Sequence, residues 1–106
     1  MRGLNTRLAA TFAFTVAIMG CGGGSDQPLV AAGNAAMQQM TNAMAIRPSG
    51  DADRDFVALM VPHHEGAIAM AQAELRYGKN EQLRRMAQEI VVTQQQEIAA
   101  MRMALR

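Results

Sequence analysis

ADRDFVALMVPHHEGAIAMAQAELRY, residues 52–77, is the stretch on which the fold turns. Phe56, Leu59, Met60, Ala67, Met70 and Ala71 recur at three- and four-residue spacing, with His63 at the centre of their stripe and Glu74 at its end. That period predicts an amphipathic helix from Ala52 to Tyr77. Asp51, Asp53 and Asp55 crowd its start, where a capping oxygen and negative charge both suit exposed backbone amides. Gly78 follows as a C-terminal stop. Pro62 lies inside; its missing amide and its ring predict a kink, or a break into two helices, just before the His pair.

The same period recurs on both sides. Upstream, Leu29, Gly33, Ala36, Met37, Met40, Ala43 and Met44 form one stripe opposite Asn34, Gln38 and Asn42. This is a helix over about residues 28–45, opened by Pro28 in its first turn and stopped by Arg47-Pro48-Ser49-Gly50. Downstream, Leu83, Met86, Ile90, Gln94, Glu97 and Met101 share a face of a helix over about Asn80 to Leu105. No segment alternates with period two for long enough to be a strand. The expected fold is therefore all-α, a small antiparallel bundle of three main helices with a Pro kink in the second.

The N-terminus reads differently. Arg2 and Arg7 precede an uncharged, mostly apolar run, Leu8 to Met19, broken only by Thr11 and Thr15, too short to span a bilayer as a helix but suited to a secretory signal peptide. Ile18-Met19-Gly20-Cys21 resembles the bacterial lipobox, whose Cys becomes the lipid-modified first residue of the mature chain. The expected organisation is a signal peptide over 1–20, a lipidated Cys21 with a flexible tether over 21–27, and a helical domain over 28–106. A lipoprotein of this kind sits on the periplasmic face of a bacterial membrane, and Gly22 after the Cys tilts the expectation toward the outer membrane.

Composition narrows the function. Ten basic residues against nine acidic leave no phosphate-binding field, and 4% aromatic content leaves no base-stacking platform, so nucleic acid is not an expected partner. Cys21 is the single Cys, so no internal disulfide can staple the domain. Eight Met against five Leu in residues 21–106 is the compositional anomaly. Met60 precedes His64 by four residues and Met70 follows His63 by seven, so thioethers and imidazoles share one surface of the second helix. Met101 and Met103 add a further pair. Thioether with imidazole suits copper, Cu(I) foremost, and not Mg or Ca. For Met37, Met40 and Met44, core filling is the expected role. For His63 and His64, spacing alone divides evenly between metal ligation and packing, the packing version being a buried His63–Glu97 pair.

Enzymatic machinery is not visible. His64-Glu65 begins like the zinc-protease signature, but Ile68 stands where its second His belongs. Neither His has a Glu three residues before it, as a di-iron bundle requires, since Met60 and Val61 occupy those positions. No Ser or Cys nucleophile has a base placed to activate it.

The patterns M-x-P-H-H and A-I-x-M-A, carried here by Met60 to Ala71 after Asp53-Arg54-Asp55-Phe56, resemble the domain of unknown function family 305. Ala87, Ile90, Gln94, Glu97, Ile98 and Met101 resemble that family's second block. The resemblance implies a ferritin-like helical bundle, usually exported, in a family that includes periplasmic copper-binding proteins of the CopM type. It points to Met60, His63, His64, Met70, Gln94, Glu97 and Met101 as the motif positions, without saying which are ligands; Met60, His63, His64, Met70, Glu97 and Met101 are the expected metal site, which a second subunit would complete in a chain short for the family.

The leading expectation is thus a membrane-anchored, non-enzymatic lipoprotein that binds copper through Met and His for sequestration, resistance or handover. The second is a structural module without metal that homo-oligomerises or binds a partner through Met-rich faces. A copper redox enzyme ranks third.

Overall fold

The computed structural model describes residues 27–106, so the signal peptide, Cys21 and most of the tether lie outside the described residues. Three helices make up the described chain, with no strand among them: α1 (Gln27–Ala43), α2 (Ala52–Tyr77) and α3 (Glu81–Ala104). The chain is a small all-α bundle. Its helices run antiparallel because the connections between them are short.

Local chemistry sets the boundaries. The Asp51 carboxylate accepts from the backbone N–H of Asp53 (3.0 Å) and of Arg54 (3.2 Å), satisfying two of the amides that a helix start leaves open. Asp55 reaches back over the loop and accepts from the Ser49 N–H at 3.1 Å, which ties the turn after α1 to the first turn of α2. Gly50 has φ of 87°, a left-handed conformation that a side chain would strain, so the turn depends on that glycine. At the other junction the Asn80 side chain caps α3 by accepting from Leu83 N–H at 3.0 Å. Gly78 ends α2 as expected but in an extended conformation, φ −72° and ψ 154°. The Arg84 guanidinium donates to the carbonyls of Leu75 and Gly78, closing the last turn of α2. Of the two outcomes open to Pro62, a break is excluded, since α2 continues through it.

The helices lie side by side rather than around a common axis. α2 packs on both α1 and α3, while α1 and α3 do not contact each other. The bundle is therefore an open layer with α2 in the middle, and its core consists of two seams. Ala36, Gly66 and Ala73 belong to the α1–α2 seam; Met40 lies over Gly66, with its Sδ 3.0 Å and its Cβ 3.3 Å from where a Cβ on that glycine would stand. Ala71, Ala87 and Ile98 belong to the α2–α3 seam. Small residues let the backbones approach closely, but they bury little area, and no large side chain among the described residues is fully enclosed.

This arrangement explains why only part of the expected stripe is core: Ala71 is buried and Leu59, Met60 and Ala67 are half-buried. A central helix buries two opposite flanks, and the stripe of Phe56, His63 and Met70 lies between them. Phe56 is 56% exposed, Met70 39%, and His63 is also exposed. Met37 of α1 and Met86 of α3 are each 50% exposed for the same reason, so Met37 is not the core filler expected of it.

Candidate metal-binding site

Pairing across the α2–α3 seam centres on His64, the buried polar side chain among the described residues. Its Nδ1 lies 2.8 Å from the Met60 carbonyl oxygen and its Nε2 lies 2.6 Å from Glu97 Oε2. A carbonyl can only accept, so Nδ1–H donates to Met60 and the ring orientation is fixed from behind. Nε2 is then the nitrogen aimed across the seam. A nitrogen and a carboxylate oxygen at that separation must share a proton, carried by the ring or by the acid. The imidazole side chain is 11% exposed and the carboxylate 51%, so the pair stands at the edge of the seam with water reaching its acidic end. Among the described residues no buried side-chain nitrogen or oxygen is left without a partner.

The expected His63–Glu97 pair is thus corrected by one residue: His64 makes that contact and His63 is exposed. The reason is rotational. Adjacent helical residues differ by about 100°, and α3 lies on the flank that His64 faces, not on the stripe centred on His63. The two rings remain neighbours, with centroids 6.2 Å apart and planes at 62°.

The remaining expected ligands divide. The His64–Glu97 contact sets an antiparallel register in which Met60, one turn before His64, stands opposite Met101, one turn after Glu97. Both methionines are half-buried. Gln94, also half-buried, stands opposite Ala67 in that register. Met70 is six residues beyond His64, about 9 Å along the axis, and lines an apolar groove with Leu83, Met86 and Ile90. Met60, His64, Glu97 and Met101 therefore form one neighbourhood at the seam, with His63 at its border and Met70 outside it. No group of three or more His, Cys, Asp or Glu side chains converges closely enough to hold a metal ion among the described residues, so a metal at His64 would draw on thioethers as well. Sequence reasoning missed the Met60 carbonyl as the group that orients His64. The i−4 spacing from His64 to Met60 was the signal for it.

Glu65, next to the pair, turns to the opposite side and meets Arg102 at 3.4 Å, both exposed. This contact is a weak surface ion pair that adds to the α2–α3 register.

Fold and site together define a class: a small all-α protein whose central helix carries a buried imidazole that pairs with a half-exposed carboxylate of α3 beside methionines. The chain belongs to the family described as Domain of unknown function (DUF305), whose family model matches residues 19–105. No curated protein matches it.

Proposed function

We propose that this protein binds copper as cargo at the α2–α3 seam, as an exported lipoprotein held to a membrane by Cys21. The observation that carries the reading is the posture of His64. Metal-binding imidazoles characteristically donate their second N–H to a carbonyl or carboxylate, and His64 does so to Met60, which leaves Nε2 directed at Glu97. A cation entering there takes the place of the shared proton. Imidazole, carboxylate and the thioethers of Met60 and Met101 offer a mixed donor set in which Cu(I), the softest candidate, is favoured over Zn and excludes Mg. His63 supplies a second imidazole at the border. The copper-binding proteins of the CopM type, to which the motif resemblance points, make sequestration, resistance or handover the roles that suit such a site. No turnover is proposed.

The test is a copper titration of the purified protein against a Cu(I)-selective chelator. His64→Ala should weaken binding by at least about tenfold, the scale of loss that accompanies disturbance of a metal ligand's setting. Helical content by circular dichroism should stay near that of the parent. Copper affinity unchanged in a folded His64→Ala protein would overturn the reading. For the anchor, Cys21→Ser should abolish partition with membranes, and unchanged partition would refute lipidation.

A structural reading also has an observation in its favour: His64 and Glu97 satisfy each other without any metal. On that reading the variant loses stability and keeps its copper behaviour.

A further inference from the structure

The open layer has two unlike faces. One carries Phe56, His63 and Met70 of α2 at seven-residue spacing, and its Met70 end is flanked by a groove of about 220 Å³ lined by Val30 and Met37 of α1 and a groove of about 360 Å³ lined by Met86 and Ile90 of α3. Met70 lines both grooves and is the ridge between them. The other face carries Glu65, Gln72 and Arg76 of α2, about 200° round the helix from His63, Met70 and Glu74, together with the Glu65–Arg102 pair. One side is dressed for water and the other is not.

A single layer of helices has nothing to bury its apolar face against, and a stable domain sets two layers around one core. We propose that a second copy of this chain supplies the missing layer, the two apolar faces stacking about a two-fold axis that passes through α2 between His63 and Met70. Charge and area both favour a twin as the occupant. No Lys or Arg lines either groove, so the face has no attraction for an anionic lipid surface or a nucleic acid, and the exposed Glu97 carboxylate on the Met86–Ile90 stripe is already paired with His64. Glu74, the one carboxylate lining the α3-side groove, lies toward the end of α2, so a two-fold axis near the middle separates it from its mate. Three helices at interaxial spacings of about 9 Å are about 28 Å wide, and the roughly fourteen helical rises from Phe56 to Met70 span about 21 Å. That makes about 600 Å² on each copy and about 1,200 Å² in all, the lower end of what specific dimers bury. Such an interface leaves the His64–Glu97 contact within each copy and covers His63, the border imidazole, so the dimer is tested without copper.

The test uses the full chain with Cys21→Ser, which leaves an introduced Cys as the sole thiol, in mild detergent with a chelator present. Sedimentation should give the mass of a dimer at micromolar concentration. A short bis-maleimide cross-linker should join Met70→Cys chains several-fold more efficiently than Gln72→Cys chains, whose thiol is on the polar face. Met70→Glu, at a position already part-exposed, should shift the protein to monomer with helicity retained. A monomeric mass or equal cross-linking from the two faces would overturn the proposal. Copper is absent throughout, so failure here leaves the titration result untouched.

Discussion

Removing Glu97 should cost the fold more than its exposed position suggests. Glu97→Ala strands His64 Nε2 at the seam while Nδ1 keeps its bond to the Met60 carbonyl. A buried polar group that loses its partner costs about 1–3 kcal/mol, and the half-exposed carboxylate lets water in to relieve part of this, so the expected loss is about 1–2 kcal/mol. His64→Ala acts differently. It removes the ring from its buried place and frees Glu97 to water, so its loss of about 2 kcal/mol is mostly packing and the Met60 bond. The double variant should then be less destabilised than the sum of the two, with a coupling of about 1 kcal/mol. For a folded unit of this size each kcal/mol moves the thermal midpoint by about 4–8 °C, well within reach of circular dichroism at 222 nm. The measurement belongs in chelator at one fixed chain concentration, because self-association would make the midpoint concentration-dependent. A coupling below about 0.3 kcal/mol would refute the pair as an energetic contact and, with it, the ordering of His64 on which the copper reading stands.

Two further perturbations test the seams and caps. Gly33 and Gly66 are both helical; nothing stands within 4 Å of a Cβ on Gly33, whereas one on Gly66 meets Met40 Sδ at 3.0 Å and Met40 Cβ at 3.3 Å. Gly33→Ala should therefore stabilise by about 0.5–1 kcal/mol through helix propensity. Gly66→Ala should forfeit that gain and destabilise by about 1 kcal/mol, since Met40 Cβ is fixed to the α1 backbone and the helices must separate; a midpoint above that of the parent would show the contact to be slack. Asp51→Ala should cost about 1 kcal/mol by uncapping α2, and Asp51→Asn, which keeps the acceptor, should recover most of it in urea unfolding.

Much of this protein is local and therefore legible in the chain. Asp51, Asn80, Gly78 and Pro48 act on their own neighbours, so the expected limits of α2, Ala52 to Tyr77, coincide with the helix, and those of α3 differ by one residue at each end. The absence of period-two alternation likewise decided the all-α class. Periodicity also identified which α2 residues are apolar together, but not what lies opposite them. A stripe of Phe56, His63 and Met70 is core if α1 and α3 close over it and surface if they stay apart, and the hydrophobic pattern is the same in both cases. Only the tertiary arrangement, with α2 flanked on two sides, made His64 the buried imidazole and His63 the exposed one. The physical reason is that a helix presents a new direction every 100°, so moving a neighbour by that angle exchanges the roles of adjacent residues without altering a single local preference.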